Sequence, residues 1–321
     1  MASPTHKVGY EVKSELRKVT HNHPMLSLAK TKNWNEFIEY FGSKDVIGME
    51  KMDGLTCSLR YINGELVSAE TRGNGEVGED ILHNIKTVKT VPQKIPYKDE
   101  LIFDGDIICT YQDFEPFSTE YKNPRNFASG SIRLLDSNEC AKRPLTFVVW
   151  NIVKGFDDEN SFLRKLVLAD GLGFTVVPWT SSFDWDAKEF LVNKAKKLGY
   201  PIDGLVGRFG DIKYGESLGA TSHHSNAAYA FKFGDETYET VLRDVEWNTT
   251  RTGIIAPVAV FDEVDLDGAL TTRATLHNLS IIEQLELGIG DTITVYRSNM
   301  VIPKIDDNLT RSNTLKIPTT C

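Results

Sequence analysis

Hydrophobic residues recur along this chain in two rhythms. Trp34, Phe37, Ile38 and Phe41 fall at helical spacing and predict an amphipathic helix. Leu55, Cys57, Leu59 and Tyr61 alternate with Thr56, Ser58 and Arg60, the period of a half-buried strand. Asn63-Gly64 then supplies a two-residue turn, and residues 66–71 return as the second arm of an antiparallel hairpin. Ile81, Ile85 and Val88 predict a short helix. Residues 101–109 and 145–153 read as strands, the first carrying two aspartates. Residues 162–172 and 187–198 have helical spacing, and residues 205–209 and 229–233 read as short strands. The polar stretch before His21 reads as a linker or loose helix. From about Asp235 the texture changes to short strands (239–246, 255–264, 293–296) with one helix-like piece at 279–285, the pattern of a small β-barrel.

Composition narrows the class. The 321 residues are 40% hydrophobic and 25% charged, globular proportions that suit about two domains. No apolar run approaches the ~20 residues of a membrane helix, and the first residues lack the apolar core of a signal peptide. Lys and Arg total 36 against 45 Asp and Glu, a net charge of −9. That argues against bulk attraction to nucleic acid but not against a local basic groove, because only charges facing the phosphates count. Cys57, Cys109, Cys140 and Cys321 have neither disulfide-framework nor zinc spacing and read as reduced thiols of a cytoplasmic protein. His21, His23, His223 and His224 look metal-like, but no Cys or acidic partner sits at ligand spacing, so no metal cage is expected.

Gly73-Asn-Gly75-Glu-Val-Gly78 matches G-x-G-x-x-G between a strand and a helix. The dinucleotide fingerprint needs a parallel βαβ unit, whereas this strand is the second arm of a hairpin. A glycine-rich loop with a tight backbone path is the better reading. Lys51-Met52-Asp53-Gly54 gains weight from its company. Lys51 begins the hairpin, Arg72 ends it, and Lys232 lies inside the apolar run 228–233. Asp203-Gly-Leu-Val-Gly-Arg208 adds an acid and a base on another strand. Charged residues in apolar strands are costly unless paired or used.

Taken together these segments resemble a known family. Lys51-Met-Asp-Gly54, Thr71-Arg-Gly-Asn-Gly-Glu-Val-Gly-Glu-Asp80, Asn123-Pro-Arg-Asn-Phe-Ala-Ser-Gly-Ser-Ile-Arg133, Arg143-Pro-Leu-Thr-Phe147, Asp203-Gly-Leu-Val206 and Ala230-Phe-Lys-Phe233 resemble, in order, the adenylation domain of NAD-dependent DNA ligases. Arg251-Thr-Gly-Ile-Ile-Ala-Pro-Val-Ala259, Arg273-Ala-Thr-Leu-His-Asn278, Ile289-Gly-Asp291 and Val301-Ile-Pro-Lys304 resemble the OB domain of the same family. The resemblance implies an α+β nucleotidyltransferase domain of antiparallel sheets with helices over 21–234. It implies an OB-fold β-barrel over 235–321 and a linker over 1–20.

The family reaction has three steps. A lysine takes AMP from NAD, AMP passes to the 5′-phosphate of nicked double-stranded DNA, and the 3′-hydroxyl displaces it. By the resemblance Lys51 carries AMP. An ordinary lysine, with a pKa near ~10.4, is neutral in only about one molecule per thousand near neutral pH, so burial and nearby cations that favour the free amine raise its reactivity. Lys232 and Arg208 would supply those cations and stabilise charge on the α-phosphate. The same match assigns Asp203 to the catalytic set, Asp53 to the ribose or the lysine, Arg72 to the ribose and nick phosphate, and Asp106 to sugar or metal. Lys232 would meet the α-phosphate, Trp150 would stack on adenine, and Ser27 and Leu28 would line the nucleotide pocket. Arg125 and Arg133 would contact nick phosphates, and Arg251, Arg273 and Arg297 would serve the OB domain's hold on DNA. NAD is the expected AMP donor, with Mg²⁺ held mostly by phosphates and water.

Three positions depart from the family. Its glutamate two residues before the nucleophile is Met49 here, and Glu50, one position off, should face the other side of a strand. Asp106 stands for a glutamate, one methylene shorter. Arg208 stands for a lysine, keeping the charge without the ability to act as a neutral base. The family's nicotinamide-binding, zinc-finger, helix-hairpin-helix and terminal domains find no counterpart. Residues 317–321 resemble the approach to the zinc finger, halted at its first cysteine. The chain is therefore expected to be a piece of a longer ligase, or one subunit of a split ligase whose partner supplies the rest. It should be slow with NAD by itself, since leaving-group binding energy is missing. A DNA-binding or scaffold subunit without activity, and an ATP-dependent nucleotidyltransferase, are the competing readings. The 71–80 and 123–133 segments favour the NAD branch.

Overall fold

The computed structural model describes residues 16–221, 224–234, 237–249, 253, 255–266, 269–298 and 302–318. The chain divides into two compact units, Met1–Phe233 and Gly234–Cys321.

In the first unit the strands are β1 (Lys18–Thr20), β2 (Lys30–Thr31), β3 (Val46–Met52), β4 (Leu55–Ile62), β5 (Glu65–Thr71), β6 (Val77–Glu79), β7 (Leu101–Ile108), β8 (Thr146–Lys154), β9 (Trp179–Thr180), β10 (Ile202–Phe209) and β11 (Ala228–Lys232). The helices are α1 (Trp34–Phe41), α2 (Leu82–Ile85), α3 (Tyr111–Phe114), α4 (Pro124–Ile132), α5 (Ser137–Cys140), α6 (Phe162–Gly171), α7 (Trp185–Leu198) and α8 (Ile212–Ser217).

The predicted hairpin is β4–β5. Asn63 and Gly64 take φ of 52° and 79°, the left-handed pair that a type I′ turn requires. Cys57, Leu59 and Tyr61 are fully buried on one face, as their alternation demands. The hairpin belongs to an antiparallel sheet of order β5-β4-β7-β8, so the strand before Gly73 has no parallel neighbour and the dinucleotide reading fails on topology. Helices α6 and α7 form where the spacing predicts them. Ser161 and Asp184 cap their N-termini, and Gly199 ends α7 at φ 67°.

Two expectations are corrected. Lys18–Thr20, read as linker or loose helix, is a strand paired antiparallel with β6. Lys51 does not begin the hairpin. It lies near the end of a separate strand, β3, in a second sheet of order β2-β11-β10-β3-β9. This sheet is covered on both faces. Ile47, Met49, Val206, Ala228 and Ala230 face the main core, whereas Val46, Phe209, Tyr229 and Phe231 pack with Phe37 and Phe41 of α1. A strand buried on both sides shows no alternation, which is why β3 has no period in the sequence.

The second unit carries β12 (Tyr238–Thr249), β13 (Ile255–Asp265), β14 (Leu270–Thr275), α9 (Leu279–Gln284), β15 (Thr292–Ser298) and β16 (Ile302–Asn308). The order is β14-β13-β12-β15-β16, and the outer strands β14 and β16 lie against each other, so the sheet curls towards closure. Leu242, Ala259, Phe261, Ala274, Ile293 and Val295 fill its core. This is a five-stranded OB-type barrel with its helix between the third and fourth strands.

Candidate active site

Three adjacent strands bring the central charges together. Gly204 of β10 pairs with Lys51 of β3 on one side and with Lys232 of β11 on the other. Asp203 occupies a register shift in β10 opposite β3, a bulge of the kind that re-aims a side chain. Its carboxylate bridges the two ammonium groups, with Lys51 Nζ 2.8 Å from Oδ1 and Lys232 Nζ 3.1 Å from Oδ2. Burial alone would raise the Asp203 carboxyl, but Lys51 and Lys232 overcome it and hold the group below its ordinary range. Gly204 permits the close pairing, because a Cβ there would lie 2.2 Å from the Phe231 carbonyl oxygen.

The link from β3 into β4 is equally constrained. A Cβ on Gly54 would meet the Ile107 carbonyl oxygen at 2.5 Å, so the fourth residue of the motif must be glycine for β4 to pass β7. Asp53 accepts from Arg125 Nη1 at 2.8 Å, and its own N–H donates to the Pro201 carbonyl. Arg125 lies in the first turn of α4, whose N-cap is Asn123.

Asp106 faces this group from β7. It is 8% exposed, and burial pushes its carboxyl up to about 6 despite the nearby cations Lys51, Arg72 and Arg125 and a hydrogen bond from Thr56. The sign of the linkage follows. The folded state holds this proton more tightly than the unfolded chain, so the group costs stability as pH rises from about 4 to about 6, and the cost is constant above that. Asp106→Asn should therefore raise stability by about 2–3 kcal/mol at pH 7–8 and by almost nothing near pH 4, while harming any chemistry that needs the carboxylate. Thermal melting across pH 4–8 checks this.

Arg72 follows β5 and is exposed. Its N–H donates to the Thr56 carbonyl, and its own carbonyl accepts from Gly75 N–H. That carbonyl also accepts from His21 Nε2 at 2.9 Å. Ser27 forms a bridge with His224, and Leu28 packs on the main core just before β2, the parallel neighbour of β11. Trp150 is half-buried at a register shift in β8 opposite β7, and its indole N–H is buried without a partner among the described residues.

Arg208 is not beside Lys51. It shares the face of β10 with Gly204 but lies four strand positions away, roughly 13 Å along the strand. Its guanidinium sits 4.5 Å from the Phe162 ring centroid, and burial pushes it down to about 10 against the pull of Asp104 and Glu216. The expected wall of cations around Lys51 is thus Lys232 alone of that pair, with Asp203 between. Glu50 points away from Lys51, as strand period requires. It is 2% exposed, both oxygens lack partners among the described residues, and burial pushes it up to about 8.

Arg133 pairs through Nε with Glu79 at 2.7 Å. In the second unit Arg273 pairs with Glu246 at 2.7 Å, Arg297 lies on β15 opposite Pro303, and Arg251 lies outside the described residues. His23 meets Asp104 at 3.0 Å, and among the described residues no group of three His, Cys, Asp or Glu is arranged to hold a metal. Sequence reasoning missed Glu79, Asp104 and His21 as neighbours of the site. Glu79 lies within the 71–80 segment it singled out, but nothing in the spacing showed which arginine it would meet.

The arrangement is two lysine ammonium groups held on one carboxylate, with arginines and a buried acid around them. Comparison with known proteins gives the family. Residues 13–236 match the NAD-dependent DNA ligase adenylation domain and residues 239–316 the NAD-dependent DNA ligase OB-fold domain. The DNA ligase of Lachnoclostridium phytofermentans is 47% identical over 99% of this chain and 51% of its own length. That of Ruminiclostridium cellulolyticum is 43% identical over 99% of this chain and 50% of its own. The chain thus spans about half the length of the curated relatives it matches. A solved Lig E DNA ligase shares the fold, with a TM-score of 0.50 at 15% identity over 88% of this chain and 98% of that one. Two domain matches in order, over a site whose motif residues converge in space, establish that this chain belongs to the NAD-dependent DNA ligase family.

Proposed function

We propose that this chain is the adenylyl-transfer core of a DNA ligase. The Lys51–Asp203–Lys232 bridge is the observation that carries the reading, because it sets a primary amine beside a second cation at a half-open surface. The neutral Lys51 amine attacks the α-phosphorus of NAD. A P–N bond forms, the bond to the nicotinamide mononucleotide oxygen breaks, and the amine sheds a proton. The 5′-phosphate of a nick then displaces the lysine, and the 3′-hydroxyl displaces AMP. Lys232 steadies charge on the α-phosphate. Asp203, held ionised, orients both ammonium groups and is too weak a base to take the proton itself. Asp53 and Arg72 serve the ribose side, Trp150 offers a face to adenine, Ser27 and Leu28 line the pocket, and Arg125 and Arg133 meet nick phosphates. Arg208, far along the strand from Lys51, is given no role at the α-phosphate. Arg251, Arg273 and Arg297 remain proposed DNA contacts of the OB domain.

Mg²⁺ bound through substrate phosphates asks for at most one or two protein carboxylates. Asp106 is a buried carboxylate facing the site and suits that role. When bound, Mg²⁺ supplies charge neutralisation at the phosphates. The missing half of the relatives' length supports a requirement for further ligase domains, in the same chain or a partner. No helix among the described residues is long and apolar enough to cross a membrane, and the buried free thiols Cys57, Cys109 and Cys140 support a reducing, cytoplasmic setting.

The test is sealing of a pre-adenylated nick with Mg²⁺, which bypasses NAD. The chain should close it. Tight nick binding without closure, with and without the remaining ligase domains, would favour a scaffold subunit instead.

A further inference from the structure

We propose that Glu79 is the positioning residue that aims the Arg133 guanidinium at the nick. The inference rests on the reading of Arg133 as a nick contact. Glu79 ends β6, and its side chain is 3% exposed, against 38% for Arg133. The two meet at 2.7 Å through Nε, the inner nitrogen of the guanidinium, while Nη1 donates to Ser129 Oγ at 2.6 Å within α4. With Nε and one Nη1 proton so used among the described residues, Nη2 and the second Nη1 proton remain for an outside acceptor, the paired donors that a phosphate takes. The backbone that carries the carboxylate is itself fixed, since the Glu79 N–H donates to Thr71 Oγ1 at 3.0 Å and Thr71 is fully buried. Thr71 directly precedes Arg72. One short segment, 71–79, therefore sets the place of two arginines, one through its backbone and one through a buried acid. An exposed arginine without such an anchor samples many rotamers and loses entropy when it binds a phosphate.

The test is a double-mutant cycle on single-turnover sealing of a pre-adenylated nick, with lysyl-AMP formation as the second readout. Arg133→Ala should raise the half-saturating nick concentration about 10- to 100-fold. Glu79→Ala should raise it about tenfold with the maximal rate little changed. In the double variant the Glu79 change should add nothing to the Arg133 change. Glu79→Gln, whose side-chain carbonyl still accepts from Nε, should recover most of the loss. Lysyl-AMP formation should be unaffected by any Glu79 variant. Should Glu79→Ala fail to fold, Glu79→Met, similar in length without an acceptor, replaces it in the cycle. Multiplying losses in the double variant, or an equal loss of lysyl-AMP formation, would show Glu79 to be a general stabiliser and overturn the proposal. An impaired Arg133→Ala beside a normal Glu79→Ala overturns the proposal alone. A normal Arg133→Ala overturns the nick-contact reading as well.

Discussion

Lys51→Ala will abolish adenylyl transfer from NAD, by at least about 10⁴-fold, the scale on which covalent enzymes fail when the nucleophile is removed. Among the described residues the amine that shares Asp203 with Lys51 is Lys232, and it is not placed to substitute. Lys232 sits on the far side of Gly204 and meets the second oxygen of Asp203 at 3.1 Å. Lys51→Arg should be equally dead, because a guanidinium stays protonated and cannot attack. Sealing of a pre-adenylated nick should fall far less in Lys51→Ala, since that step begins after the lysine has done its work. Parallel assays on the two substrates separate these outcomes.

Asp203→Asn has the second largest expected effect. The two ammonium groups share one carboxylate, and the side chains of Lys51, Asp203 and Lys232 are only 27%, 21% and 32% exposed. Removing the charge leaves two like charges facing each other in a partly buried place, at a cost of about 1–3 kcal/mol in stability. A misplaced nucleophile then lowers lysyl-AMP formation about a hundredfold or more. The pH signature is specific. Because the folded-state pKa of Asp203 lies below its unfolded value, its contribution is present above about pH 4 and is lost on acidification through the folded value. The unmodified chain and Asp203→Asn should therefore differ most in melting temperature at pH 6–8 and converge at low pH.

Much of this site was legible in the sequence because its residues sit in short local patterns. The hairpin followed from alternation and Asn63-Gly64, and α6 and α7 from helical spacing. The opposite facing of Glu50 and Lys51 followed from strand period. The strand carrying Lys51 was not legible, since a sheet covered on both faces erases alternation. Helix α4 was missed although Asn123 followed by Pro124 is a helix-start signal, because its apolar residues are interrupted by small polar ones. The position of Arg208 could not be read from its charge. Its partners, Phe162, Asp104 and Glu216, come from three distant segments. The same holds for Glu79 and Arg133, joined only by the packing of α4 against the sheet.

Peptide-level mass spectrometry of the chain after prolonged incubation with excess NAD and Mg²⁺, beside Lys51→Ala under identical treatment, tests the central claim most directly. The account predicts one added adenylyl group on the peptide containing Lys51, and none on the variant. An adenylyl group attached elsewhere and retained by Lys51→Ala, or no adduct even when the remaining ligase domains are supplied, would contradict it.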